Sequence, residues 1–217
     1  MTGLESVWHV AREYAGVAEA GGVKDMVCGL AEAQARSGMA VTAVVPLYGF
    51  ARGRLELEPA PLASFTVRLP DLETWSRMTE EPVAVWIARA GAERGARVEA
   101  GCEMRAEAVR LLLVDSPRFA NKRDVYTWTA EDEREDQHRR KGSGHWDVHH
   151  LNLLLQLAAL EAAIRSDAPP SVFHCHDGHA AFLPAIARED PRLAPRLAES
   201  RMVVTIHNAG ENYHQKI

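Results

Sequence analysis

The segment His174-Cys175-His176-Asp177-Gly178-His179 packs three imidazoles, a thiol and a carboxylate into six residues. It follows the short apolar run Ser171-Val172-Phe173, which reads as a strand. Side chains alternate across a strand, so His174 and His176 share one face, while His179 falls beyond the strand in the loop. Imidazole is a common metal ligand and can donate or accept a hydrogen bond. Two chemistries follow. The rings bind a metal, or one or two of them hold a polar ligand while the rest are satisfied by neighbouring backbone. For His174 the buried structural role is the better reading. For His179, at a strand end before a helix, a functional role is.

The metal reading has a spacing problem. Zinc hydrolases of the metallo-β-lactamase type use H-x-H-x-D-H, whereas Asp177 directly follows His176 and no second aspartate accompanies it. A zinc hydrolase therefore stands only as an alternative, and no metal or cofactor is expected. Gly21-Gly22 directly precedes a helical pattern, and free N–H groups at a helix start favour phosphate or another anion. The pair is not GxGxxG and lacks a Walker lysine, so a plain tight turn fits equally well and a lone dinucleotide-binding domain fits poorly. His207-Asn208 ends a further apolar run. Both side chains suit sugar hydroxyls, although an asparagine that merely turns the chain is the simpler account. His145, His149 and His150 lack a third ligand or an HExxH pattern and read as exposed histidines at a helix start.

These loops need a scaffold. Ser6–Ala11 reads as a strand, and Val23, Met26, Val27, Leu30 and Ala31 recur on one helical face ending at Gly38. Ala40–Val45 reads as a strand buried on both faces, stopped by Pro46. Strand, glycine-rich loop, helix and strand make a right-handed βαβ unit. Residues 64–69, 82–88, 97–100 and 108–114 read as strands in hairpins or in the same sheet. Glu131–Lys141 is a solvated mixed-charge run. Val148–Arg165 is a strong helix broken by Pro169-Pro170, Ala180–Glu189 is helical, and Met202–Ile206 is another buried strand. Alternating strands and helices predict an α/β fold with a doubly wound parallel sheet. The C-terminal strand ends then lie on one edge, where residues 13–22, 176–179 and 207–210 converge.

With 217 residues, the chain has room for one such domain. A net charge of −5 without a basic stripe argues against nucleic acid as a partner. Cys28, Cys102 and Cys175 are odd in number and lack a CxxC spacing, which suggests a reducing compartment. No stretch has the apolar length of a membrane span, and the N-terminal residues lack a signal-peptide core. A cytoplasmic domain is expected.

Taken in order, the segments resemble bacterial glycogen synthases and plant starch synthases. Val7–Glu13, Ala20–Val27 and Val44–Tyr48 are similar to that family's opening βαβ unit. Val172–Pro184 resembles its HAHDWH strand and loop, Val203–Asn208 its TIHN strand, and Asp115–Tyr126 its D-x-P-x-F…Y segment. The resemblance implies a Rossmann-like parallel sheet with flanking helices, the N-terminal half of a GT-B type glycosyltransferase spanning 1–217. It implies retaining transfer of glucose from ADP-glucose or UDP-glucose to the non-reducing end of an α-1,4-glucan, without a metal. Carried over by residue, Gly21 and Gly22 lie beside the donor diphosphate, Asp25 near a sugar, and Tyr126 near the glucose site. His179 is the catalytic histidine, Asn208 faces the cleft, and Asp177 and His207 count among the substrate-binding residues.

Two positions depart from the family pattern. Glu19 stands where K-x-G-G places a lysine, and Gly178 stands where DWH places a tryptophan. A C-terminal nucleotide-binding domain is absent from the sequence, so this chain is expected to be inactive alone. A non-catalytic α-glucan-binding module is the runner-up.

Overall fold

The computed structural model describes residues 6–71, 74, 76–88 and 109–207. One seven-stranded sheet organises them, in the order β3-β4-β5-β2-β1-β6-β7. The strands are β1 (Ser6–Val10), β2 (Ala40–Pro46), β3 (Ala63–Pro70), β4 (Met78–Ile87), β5 (Val109–Asp115), β6 (Val172–His176) and β7 (Arg201–Thr205). The helices are α1 (Val23–Arg36), α2 (Gly49–Arg52), α3 (Pro117–Ala120), α4 (Ala130–Glu135), α5 (Val148–Arg165) and α6 (Leu183–Glu189).

Strands β5, β2, β1, β6 and β7 are mutually parallel. The middle of the chain resolves the hairpin question. β3 and β4 form an antiparallel pair, β4 pairs antiparallel with β5, and β5 returns parallel to β2. The predicted strand at 97–100 lies outside the described residues. The buried strands are short apolar runs, as expected where both faces are covered: Val41 to Val45 and Leu111 to Val114 are almost wholly inaccessible.

The chain leaves β1 through α1 toward β2 on one side, and leaves β5 through α5 toward β6 on the other. Right-handed crossovers in opposite directions put α1 on one face of the sheet and α5 on the other. Helix α6 follows the same sense as α5 and packs against it. The connection direction reverses between the neighbours β1 and β6. Their C-terminal loops, 11–22 and 177–182, therefore part around a crevice at the switch point, where α/β sheets bind ligands.

Local sequence explains the helix ends. Helix α1 starts at Gly22 without a side-chain cap, and Asp25 in its first turn and Arg36 in its last complement the dipole. Gly38 ends it with φ 93°, a left-handed position where glycine has no Cβ penalty. Helix α1 buries Val27 and Ala31 and half-buries Val23 and Leu30. Met26, expected on that face, is instead 45% exposed. Helix α4 carries a capping box, with Thr129 and Asp132 bonding each other's backbone N–H.

Helix α5 departs from the expectation most. Leu151, Leu154, Leu155, Ala158 and Ala162 are buried as predicted, but so are His150, Asn152, Gln156 and Glu161. The predicted exposed histidines hold only for His149. His145 packs edge-on against Trp128, with ring centroids 4.6 Å apart. His150 bonds the Pro70 carbonyl at 2.5 Å, because the β3–β4 hairpin continues over the first turn of α5.

Candidate active site at the switch point

The loop after β1 carries two charged side chains that are almost wholly buried, Arg12 and Glu13. Burying a charge is costly unless partners replace water, and both residues are fully engaged. Arg12 Nε donates to the Tyr48 hydroxyl at 3.0 Å, and Nη1 donates to Asn152 Oδ1 at 3.4 Å. Its remaining Nη donates to the Val125 carbonyl. The guanidinium also lies 5.2 Å from the centre of the Tyr126 ring and 5.9 Å from that of Tyr48.

Glu13 ties the glycine loop to Tyr126. One carboxylate oxygen accepts the Tyr126 hydroxyl at 2.5 Å. The other accepts the backbone N–H of Ala20 at 3.0 Å and of Gly21 at 2.6 Å. An internal anion thus meets the loop that was read as a phosphate site, while the first turn of α1 beyond Gly22 keeps its uncapped N–H groups. Glu19, where the family pattern has lysine, turns back to accept the Gly16 N–H at 2.8 Å. Asp25 pairs with Lys24 at 2.7 Å in the exposed first turn of α1.

His179 stacks on Tyr126, with centroids 5.1 Å apart and planes 22° from parallel. Burial, and then the Arg12 charge, push its pKa down to about 3, so it is a neutral imidazole at physiological pH. Tyr126 is held above its ordinary value by burial and by the Glu13 carboxylate, and remains a phenol. Loops after β1, β5 and β6 thereby build one surface from Tyr126, His179, Arg12 and the Gly21 loop. It presents a half-buried phenol and a neutral imidazole stacked on each other over a buried cation.

Next to it, Asp177 adopts φ 58°, a left-handed conformation uncommon for a residue with a Cβ. The turn is held from both sides. The Asp177 N–H donates to the Thr205 carbonyl at 2.8 Å, and its Oδ1 accepts the His207 N–H at 2.7 Å. Asp177 Oδ2 is buried without a hydrogen-bond partner among the described residues. His207 also reaches His176 at 2.9 Å, while Asn208 lies outside the described residues.

The structure therefore joins Gly21, through Glu13, to Tyr126 and His179, and joins Asp177 to His207. Arg12, Glu13 and Tyr48 were not singled out as site residues in the sequence. The one signal for Arg12 and Glu13 was a charged pair directly after a buried strand, and Tyr48 had none.

The doubly wound sheet has the fold of the GT-B class of glycosyltransferases. A solved structure described as the catalytic domain of Starch Synthase IV from Arabidopsis thaliana, bound to ADP and acarbose, superposes with a TM-score of 0.64 at 23% identity. It matches 95% of this chain and 34% of that one. The starch synthase catalytic domain family matches residues 6–216, and this chain belongs to that family. A glycogen synthase of Exiguobacterium sibiricum is 28% identical over 204 residues, 93% of this chain and 34% of the relative. A glycogen synthase of Streptococcus uberis is 36% identical over 86 residues, 40% of this chain and 18% of the relative. The chain thus spans about a third of the length of the Exiguobacterium relative. Among the described residues, no helix is long and apolar enough to cross a membrane.

Proposed function

We propose that this chain is the acceptor-side domain of a retaining glucosyltransferase. In this reading it takes glucose from ADP-glucose or UDP-glucose and adds it to the non-reducing end of an α-1,4-glucan. The observation that carries the reading is the Tyr126–His179 stack above buried Arg12, at the crevice where the sheet reverses direction. The half-buried edges of the stacked phenol and neutral imidazole suit a sugar ring and its hydroxyls. The ADP and acarbose bound to the Arabidopsis structure are a nucleotide and a sugar-type ligand, in keeping with such a crevice.

His179 is the residue assigned to the reacting sugar. Being neutral, it acts through a directed hydrogen bond rather than through charge. Gly22 and the first turn of α1 offer N–H groups and the positive dipole end toward the departing diphosphate. Asp177 Oδ2, without a hydrogen-bond partner among the described residues, is an acceptor suited to a sugar hydroxyl. His207 lies at the same edge, Asn208 is assigned to the sugar by the family pattern alone, and Asp25 serves the sugar once released from Lys24. No cofactor enters. In this reading a nucleotide-binding domain, for which the two thirds of the Exiguobacterium relative beyond the match leave room, completes the site, and the 217 residues by themselves are expected to show no transfer.

A second reading has its own observation. Glu13 occupies the Gly21 N–H, and Glu19 brings a further carboxylate where the family pattern has a cation. Both disfavour a diphosphate and favour a non-catalytic α-glucan-binding module. The test is glucose transfer from each donor to glycogen, by the whole product of the gene and by its His179→Ala variant. Transfer that collapses at least a hundredfold in the variant supports the transferase. Saturable glycogen binding with no transfer from either donor supports the module.

A further inference from the structure

A second group of histidines lies on one face of the sheet. His9 and His174 are register partners on the adjacent strands β1 and β6, and His176 follows His174 by two residues. All three rings thus project from the same face. Their ring centroids lie 4.4 to 5.2 Å apart. Each ring offers one nitrogen, and the three nitrogens lie within 4.8 Å of one another.

The neighbours fix which nitrogens carry protons. Gln34 Oε1, on α1, lies 2.7 Å from His9 Nε2 and can only accept. His9 therefore donates from Nε2, and its Nδ1 holds a lone pair. That lone pair meets His176 Nε2 at 2.9 Å, so His176 donates there. His176 Nδ1 then accepts from His207 Nε2, also at 2.9 Å. The result is a one-way chain from His207 through His176 and His9 to Gln34. His174 turns its Nε2 to the Thr205 hydroxyl at 2.7 Å. A carbonyl on the far N–H, as Gln34 supplies to His9, is the partner that typically aligns a metal-ligating imidazole.

We propose that His9, His174 and His176 form a binding site for a first-row divalent ion of the Zn²⁺ type, between β1 and β6 at the Gln34 end of α1. Neutral imidazoles suit Zn²⁺, Ni²⁺ and Cu²⁺ over the hard cations. Two Zn–N bonds of about 2.0–2.1 Å in a tetrahedron set the nitrogens roughly 3.3 Å apart. The 2.9 Å contact between His9 and His176 needs only a small opening to admit the ion. The ion takes the place of the shared proton. His176 then carries its proton on Nδ1 and donates to His207 Nε2, and His207 carries its proton on Nδ1. Both rings stay neutral and no net proton is released. Solvent takes the fourth position. The site does not depend on the transferase reading.

The test uses tag-free chain, stripped with a chelator, titrated with Zn²⁺ by calorimetry and with Co²⁺ by visible absorption. One equivalent of Zn²⁺ is expected to bind, with intense tetrahedral Co²⁺ bands. Affinity is expected to fall at least tenfold in His9→Phe and in His174→Gln, and to be unchanged in His138→Gln, an exposed control. Zn²⁺ is also expected to raise the Tm of the parent chain and not of the two variants. No saturable binding near one equivalent, or the same affinity in both variants, overturns the site. Should a variant fail to fold, the Co²⁺ spectrum of the parent decides: weak octahedral bands alone overturn the proposal.

Discussion

Glu13 and Tyr126 are 113 residues apart in sequence, and the phenol of one donates to the carboxylate of the other at 2.5 Å. Through the second carboxylate oxygen this contact extends to the N–H groups of Ala20 and Gly21. One buried side chain thus sets both the glycine loop and the aromatic wall of the crevice. Glu13→Ala leaves all three donors without their acceptor and is expected to cost about 1–3 kcal/mol. Glu13→Gln keeps acceptor capacity and loses less. Urea unfolding of the two variants checks this, and an Ala variant as stable as the parent would mean that the contact does not hold the loop.

Acid should destabilise the fold early. Burial holds His9 and His145 down to about 4, His179 to about 3 and His176 to about 2. In the unfolded chain each takes a proton near pH 6.5. Between about pH 6.5 and 4 the unfolded state therefore binds more protons than the folded state, and stability falls as pH falls. Each fully buried histidine contributes up to about 1.4 kcal/mol per pH unit in that window. Denaturation midpoints at pH 7, 6 and 5 should drop steeply, and His176→Gln should flatten the curve. A midpoint constant from pH 7 to 5 would contradict this.

Close packing of α2 on α3 rests on a missing methyl group. A Cβ at Gly49 would sit 2.1 Å from the Ala120 carbonyl oxygen and 3.1 Å from its carbon. Both are backbone atoms, so one helix must move. Gly49→Ala is expected to cost about 1–3 kcal/mol through overpacking. Gly53→Ala, which meets open space, should stay within about 0.5 kcal/mol of the parent. Thermal melts of the pair decide.

The turn at Asp177 combines a left-handed backbone with an acceptor for the His207 N–H. Asparagine tolerates that conformation and keeps the acceptor, so Asp177→Asn should stay within about 1 kcal/mol. Asp177→Leu loses both and should cost about 2–3 kcal/mol. Equal stabilities for the two variants would show that the turn is held by its other contacts.

Much of this site was legible in the residues themselves. His174 and His176 share a face because strand periodicity requires it, and the Gly21 loop must precede α1 because the apolar pattern starts at Val23. Arg12 and Glu13 were harder to place. A charged pair after a strand ordinarily faces solvent. Only the loops from β5 and β6, closing over it with Tyr126 and His179, convert it into a buried cation and anion. His150 was misjudged for a similar reason: nothing in its local pattern announces that the β3–β4 hairpin lies across the start of α5.

The sequence alone determined the alternation of strand and helix, the buried central strands, and the histidine- and glycine-bearing loops that end them. Those features arise from local periodicity and backbone preference, which neighbouring residues suffice to express. It misplaced β7, read as buried, which is an edge strand with Val203 and Val204 over 40% exposed because no further strand covers it among the described residues. The tertiary structure decided which loops meet. It brought Glu13 to Tyr126, Arg12 under the Tyr126–His179 stack, and His9 beside His174 and His176. Strand order and register set these neighbours, and both are fixed only when the whole sheet assembles.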